Sequence, residues 1–284
     1  MIRRSFVSLG VFSTFAVLVA VSAPAGATLY AVDYQTNLTY RIDPQTAVAT
    51  LIGPAGQELG PAGLAVEWRT GRIFVSEVVP PGAIDGAGLG VLDPATGAVQ
   101  PVPGGSDYVV SLSIPGIAFA ADGTLLGASA INPGLYRLDP VTSIATFIAD
   151  WSGAKIVFGF ASTPDGTLFA VDKTTLYRAN GATGVLTPVG PHGMAPAGIA
   201  PITPLAFEPE TGQLLSADGL TGRLFRLNPA TGAAALIGNT GIHPSGLASR
   251  GVTEIPALDA RGVTILATAL ALLAVLGLHR QRLG

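Results

Sequence analysis

Between residues 28 and 250 the chain alternates apolar runs of four or five residues with clusters of Gly, Pro, Asp, Asn and Thr. Runs of that length bounded by turn residues are the pattern of short β-strands. With 37 Gly and 22 Pro in 284 residues, long helices have no room in this span. One phrase recurs five times: an apolar run ending in an acid, then Leu-aromatic-Arg-apolar-Asp-Pro-x-Thr-Gly, then a short apolar strand ending near Gly. Its clear copies are Tyr40-Arg41-Ile42-Asp43-Pro44, Tyr136-Arg137-Leu138-Asp139-Pro140 and Phe225-Arg226-Leu227-Asn228-Pro229, and its weaker copies are Val91-Leu92-Asp93-Pro94 and Tyr177-Arg178-Ala179-Asn180. From Asp43 to Asn228 is 185 residues over four intervals, a mean of about 46, which is the length of one four-stranded propeller blade.

Each repeat predicts four strands, a to d. Strand a is Gly63–Val66, Gly116–Phe119, Gly159–Ser162 or Pro204–Phe207, with small residues suited to a crowded axis. Strand b is Leu29–Asp33, Ile73–Glu77, Leu125–Ser129, Leu168–Asp172 or Leu214–Asp218. It is reached through Thr-Gly or Asp-Gly hairpin turns, where Gly supplies a positive φ. Strand c is the Tyr-Arg phrase and strand d is Val48–Ile52 and its equivalents. The first repeat starts at strand b, and Gly246–Ser249 is an orphan strand a behind the fifth. Pairing the orphan with Leu29–Asp33 completes the first blade from both ends of the domain and closes the ring, which removes an exposed edge. The expectation is an all-β, five-bladed propeller over residues 28–253. A six-bladed or open arrangement stays open because the second repeat is long and degenerate.

The flanks read as addresses. Residues 1–27 carry Arg3 and Arg4, an apolar run from Phe6 to Val21 and Ala25-Gly26-Ala27, the layout of an export signal, with an N-terminal anchor as the alternative. In the segment 254–284, residues 262–278 are 17 uncharged residues followed by His279, Arg280 and Arg282, a membrane helix with its C-terminus on the cytoplasmic side. The expected location is therefore the envelope, cell surface or medium, reached through an inner-membrane intermediate.

Charge narrows the partners. Residues 28–250 hold 16 acids against 10 bases, a net of −6, which disfavours nucleic acid and anionic surfaces. The absence of Cys excludes disulfides, thiolate chemistry and Cys-ligated metals.

In the usual path of a propeller blade, the a–b and c–d turns share one rim and the b–c and d–a loops the other. The first set is tight and predicts a rim without a pocket. The second includes Val78–Gly88, Gly104–Pro115, Asp150–Val157 and Pro191–Thr203, and long loops on a rigid scaffold are where function gathers. Candidate ligand-binding residues there are Asp107, Tyr108, Trp151, His192 and His243, with Trp151 either a sugar-stacking platform or packing and the histidines either bases or ordinary loop residues. The b strands end on the same rim at Asp33, Glu77, Ser129, Asp172 and Asp218. Four carboxylates near an axis suit Ca²⁺ or a metal polarising an ester. Alternatively each caps its own turn or pairs with the Arg41, Arg137, Arg178 and Arg226 series. No P-loop, H-E-x-x-H, G-x-S-x-G or dinucleotide fingerprint is present.

Two resemblances follow from these motifs. Repeats such as Leu29-Tyr30-Ala31-Val32-Asp33 with Tyr40-Arg41-Ile42-Asp43-Pro44 resemble those of secreted bacterial propellers distantly similar to the NHL and YVTN groups. Ile255-Pro256-Ala257-Leu258, the apolar helix and the terminal Arg cluster resemble the IPTL-CTERM sorting tails related to PEP-CTERM, with Ala257 where Thr is usual. That resemblance implies recognition by a sorting peptidase, against a plain membrane anchor. Three functions remain open at this point: a non-catalytic module binding an extracellular glycan or surface protein, a metal-dependent hydrolase resembling propeller lactonases through Asp33, Glu77, Asp172 and Asp218, and a structural surface component.

Overall fold

The computed structural model describes residues 28–79, 88–103, 113–153, 155–194 and 202–251. The 1–27 signal, the 254–284 tail with Ile255, Pro256, Ala257, Leu258 and the 262–278 helix, and the loop residues Asp107 and Tyr108 lie outside them. All regular structure among the described residues is β, arranged as five blades.

Numbered in chain order, blade 1 contains β1 (Thr28–Asp33), β2 (Leu38–Ile42) and β3 (Ala49–Pro54). Blade 2 contains β4 (Glu58–Leu59), β5 (Leu64–Val66), β6 (Ile73–Val79), β7 (Gly88–Leu92) and β8 (Val99–Pro101), and blade 3 contains β9 (Gly116–Phe119), β10 (Leu125–Ser129), β11 (Gly134–Leu138) and β12 (Ala145–Asp150). Blade 4 is β13 (Gly159–Ser162), β14 (Leu168–Val171), β15 (Thr175–Ala179) and β16 (Leu186–Pro191). Blade 5 is β17 (Leu205–Glu208), β18 (Gln213–Asp218), β19 (Arg223–Leu227) and β20 (Ala234–Asn239). The last strand, β21 (Pro244–Arg250), returns to blade 1 and pairs antiparallel with β1, Thr28 opposite Arg250 and Leu29 opposite Ser249. The sheet order β21-β1-β2-β3 is the expected closure, and the blade count is five rather than six.

The degenerate second repeat makes an irregular blade. β4 and β5 both pair with β6, and β6 is bulged between Val75 and Val78. The extra length that left the count open is thus spent inside blade 2.

Burial explains why the b strands read as unbroken apolar runs. Five hydrophobic clusters occupy the five junctions between blades, and each inner strand gives alternate side chains to its two neighbours. Leu29 and Ala31 of β1 join the cluster with blade 5, whereas Tyr30 and Val32 join that with blade 2. A strand buried on both faces has no polar side to show. The inner strands β21, β5, β9, β13 and β17 ring an axis whose cavity is only about 20 Å³, room for about one water. Trp68 donates its indole N–H to Ser162 Oγ at 3.2 Å and bridges blades 2 and 4 across it.

The glycine that ends strand d seats one blade on the next. A Cβ on Gly53 would fall within the van der Waals shell of Thr96 O, and one on Gly190 within that of Thr231 O. Each carbonyl belongs to the c–d turn of the following blade. That turn closes through a left-handed residue, Gly97, Gly184 or Gly232, and Ala47 and Ser143 take the same conformation at φ 62° and 57° in blades 1 and 3.

Candidate functional site

The acids at the ends of the b strands are consumed by the blades that carry them. Asp33 Oδ1 accepts Gln35 and Thr36 N–H at 2.9 and 3.1 Å, and its Oδ2 accepts His243 N–H at 2.9 Å. Asp172 Oδ1 accepts Thr174 and Thr175 N–H at 2.8 and 2.7 Å, while Tyr177 Oη donates to its Oδ2 at 2.8 Å and Lys155 Nζ stands 3.6 Å away. Burial works to raise the Asp172 pKa, but these donors and the ammonium outweigh it and hold the carboxyl below its ordinary value. Asp218 accepts Leu220 N–H at 3.1 Å, Thr221 Oγ1 at 2.6 Å and Arg223 Nη2 at 2.9 Å.

These are turn caps, the structural alternative the sequence left open. The metal ring is corrected accordingly: among the described residues no three His, Cys, Asp or Glu side chains come together to hold a cation, Ca²⁺ included. The physical reason is that a short Asp at a strand end reaches the N–H groups of its own turn before it reaches the axis, which the small a-strand residues already fill. The Arg series does not pair with these acids either. Arg41 donates instead to Pro94 O at 3.4 Å and Arg226 to Pro44 O at 2.9 Å, each reaching the turn of the next blade, and Arg226 also lies 3.6 Å from Glu208.

Glu77 departs from the pattern. It is one methylene longer, sits at φ 57° in the bulge of β6 and caps no local turn. One carboxyl oxygen accepts the N–H of Ile114, the residue leading into β9 of blade 3 through Pro115, and Gly60 packs against the other. Burial pushes its pKa up to about 7 against the Ile114 N–H. A left-handed non-glycine residue holding a buried carboxyl is a stored strain.

The other candidates separate. Trp151 is 1% exposed and packs edge-to-face on Phe160 with centroids 5.8 Å apart, so the sugar-platform reading is replaced by core packing at the junction of blades 3 and 4. His192 is 2% exposed, its Nε2 3.2 Å from Asp172 O and its Nδ1 accepting Met194 N–H at 3.1 Å. Burial lowers its pKa, and it acts as an internal tie rather than a solvent-facing base. His243 keeps a partly exposed ring, 38% of the side chain, with Nδ1 3.8 Å from Asp33 Oδ2. Neither pairing is visible as a neighbour in sequence, because each histidine lies on a d–a connection and its acid on a b strand. Aligning the repeats is the one signal that brings them together.

A second correction concerns the tight rim. It carries a groove of about 660 Å³ between blades 3 and 4, mostly apolar, and beside it one of about 440 Å³ over the β11–β12 hairpin. Short turns leave no loop to form a pocket, but the space between two neighbouring turns depends on what side chains fill it.

No family model matches the chain, and no curated protein matches it. Among solved structures, a chain of a nidogen/laminin complex aligns with TM-score 0.52 and 17% identity, over 80% of this chain and 83% of that one. At that identity the likeness is one of fold, and it supports the propeller.

Proposed function

We propose that the protein is an exported, non-catalytic binding module that presents its long-loop rim to an envelope or surface protein. The observation that supports this most is the asymmetry of the rims. The c–d turns repeat one five-residue design, Asp-Pro-x-Thr-Gly and its variants, whereas the d–a connections differ in length and sequence from blade to blade. A scaffold that holds one rim constant and varies the other is built to display the variable one. The b-strand acids and His192, which in an enzyme would be its reactive groups, are tied into that scaffold. The neighbour taken from a nidogen/laminin complex adds a fold-level analogy for a protein partner, and the surface glycan is the alternative ligand class. Export and the tail are read from the sequence, with the apolar 262–278 segment in the membrane either before sorting or as a lasting anchor.

The test is fractionation of the producing cells with the full chain and with variants. The expected result is recovery in the envelope or medium and retention on isolated envelopes. That retention should weaken when the exposed Lys155 and Ile156 of the Trp151–Phe158 connection are replaced by Ser, and stay unchanged when the exposed Val141 of the Asp139–Ser143 turn is replaced by Ser. Cytosolic recovery of an uncleaved chain overturns the address. Retention insensitive to the connection but sensitive to the turn overturns the choice of rim.

A further inference from the structure

Blades 1, 2 and 3 open their c–d turns with Asp43, Asp93 and Asp139, whereas blades 4 and 5 use Asn180 and Asn228. Both residue types cap the turn in the same way. Asp43, Asp93 and Asp139 each accept the N–H two residues on, at 2.8, 2.9 and 2.8 Å. Asn180 Oδ1 accepts Ala182 and Thr183 N–H at 2.9 and 3.1 Å, and Asn228 Oδ1 accepts Ala230 and Thr231 N–H at 2.8 and 3.3 Å.

The two asparagines differ in the residue that follows. Pro229 has no N–H, whereas Gly181 has one that makes no hydrogen bond among the described residues. Of the five Asn in the chain, Asn180 alone precedes Gly. Asn132 also precedes Pro, Asn37 precedes the branched strand residue Leu38, and the Thr240 N–H behind Asn239 is held by Gly222 O at 2.8 Å. The glycines behind Asp122, Asp165 and Asp218 have their N–H groups tied as well, to the carbonyls of Ala120, Thr163 and Ile202 at 3.0, 2.9 and 2.8 Å. Asn180 is exposed and Gly181 partly so. A backbone nitrogen that is unbonded, carries no side chain beside it and adjoins a side-chain amide is placed to attack that amide.

We propose that Asn180 is a site of spontaneous covalent modification, at which the Gly181 nitrogen closes on the side-chain amide and the residue ends as a carboxylate. Solvent base removes the Gly181 amide proton, the nitrogen bonds to Asn180 Cγ, and the Cγ–Nδ2 bond breaks as Nδ2 takes up a proton and leaves as ammonia. Water then adds to one carbonyl of the five-membered imide and displaces the ring nitrogen, which regains its proton. The products are Asp or its β-linked isomer, and nothing is oxidised or reduced. The two N–H groups on Oδ1 assist, because negative charge builds on that oxygen as the nitrogen attacks. The turn accommodates the Asp product, since three blades already carry Asp there. Asn180 lines the groove of about 660 Å³ together with Asp122 and Arg178, so the change adds a negative charge to its wall.

The experiment incubates the folded full-length protein in mildly alkaline buffer made with heavy-oxygen water, then digests it with trypsin in ordinary water for peptide mass spectrometry. Cleavage after Arg178 and Arg223 releases residues 179–223, whose one Asn is Asn180, and cleavage after Arg226 and Arg250 releases residues 227–250 with Asn228 and Asn239. Fragment spectra should show one heavy oxygen entering residue 180 at a rate at least about tenfold above that at Asn228, whose nucleophile the proline ring removes. In parallel, isoelectric focusing should reveal an acidic species that co-migrates with Asn180→Asp and does not form in Asn180→Ser. Label entering Asn228 or Asn239 as fast as residue 180 overturns the proposal, as does an acidic species that persists in Asn180→Ser. So does an unlabelled residue 180 in the folded protein after a time that converts the urea-unfolded chain, because the turn then protects the amide.

Discussion

Blades 5 and 2 end their b strands with a carboxylate at the same repeat position and use it in different ways. Asp218 turns back on its own hairpin, taking Leu220 N–H, Thr221 Oγ1 and Arg223, and leaves the strand regular. Glu77 reaches outward to Ile114 in the lead-in to blade 3, and to do so it sits in a bulge with a left-handed backbone. One added methylene converts a local cap into a tie between blades, and the strain and burial of a nearly unpartnered charge come with it. A repeated residue therefore does not imply a repeated role; what decides is whether the side chain is short enough to be satisfied by its own turn.

Both blades belong to one closed ring, and the most severe test breaks the ring. Deleting residues 244–250 removes the inner strand of blade 1 and exposes β1 along its whole length. Since a domain of this size is stable by only about 5–15 kcal/mol, cooperative unfolding should disappear in a circular-dichroism melt. A truncated protein melting at the wild-type temperature would show that closure is dispensable.

The difference between the two acids is sharpened by pH. Glu77 has its folded pKa raised from 4.5 to about 7, so its protonated form is the one the fold tolerates. The penalty is absent below pH 4.5, grows between 4.5 and 7 and is complete above 7, where it reaches roughly 3 kcal/mol. Glu77→Gln should therefore raise stability at pH 8 by up to that amount and leave it nearly unchanged at pH 4. His192 works in the opposite direction. Buried and neutral in the fold, it contributes fully above its ordinary value of 6.5 and loses that contribution as pH falls below it, so the variant should keep an acid-side decline. Asp218→Asn should do the reverse of Glu77→Gln and lower stability at pH 8 by about 1–3 kcal/mol, because it breaks a buried charge-assisted bond to Arg223. Urea unfolding at the two pH values gives both numbers, and equal signs for the two variants would erase the distinction.

The regular side of the ring predicts how closely its blades are seated. Gly190→Ala places a methyl against backbone Thr231 O and should cost about 1–3 kcal/mol, whereas Gly238→Ala, whose nearest contacts are Ala47 Cβ at 3.1 Å and Thr46 O at 3.2 Å, should cost less. Paired melts measure the gap, and equal losses would mean that the blades adjust rather than lock. The smallest effect is expected at Ala47. Ala47→Gly relieves a left-handed alanine, worth about 1–2 kcal/mol, and removes a buried methyl worth about 0.8, with added backbone entropy in the unfolded chain. The net change should stay within about 1 kcal/mol in either direction, and a larger loss would show that the methyl wedged between blades 1 and 5 matters more than the strain.

Much of the architecture was legible because it is periodic. The phrase around Tyr40, Tyr136 and Phe225 located the c strands, the turns behind them located the d strands, and the orphan Gly246–Ser249 located the closure. The candidate site was less legible. Asp33, Asp172 and Asp218 were visible as a series, but a series reports only that each blade needs the residue. Trp151 and His192 looked like loop residues available to a ligand, and both are buried, because a d–a connection dives back toward the axis before it starts the next blade. The groove between blades 3 and 4 was not anticipated, since its walls come from the turns and side chains of two different blades, which no single repeat displays.

What the sequence by itself determined is the local layer: strand lengths, turn positions and a repeat of about 46 residues, with five blades and the pairing of the two ends as the expectation that the structure then decided. These follow from backbone chemistry that acts over a few residues, where Gly, Pro, Asp and alternating apolar positions leave few choices. What only the tertiary structure decided is the partner of each polar side chain. Arg41 meets Pro94 and not an acid, Glu77 meets Ile114 and not a metal, and Asp33 meets His243 across 210 residues. A polar group is satisfied by whichever donor or acceptor packing brings within about 3 Å, and that distance is fixed by how the blades seat against one another.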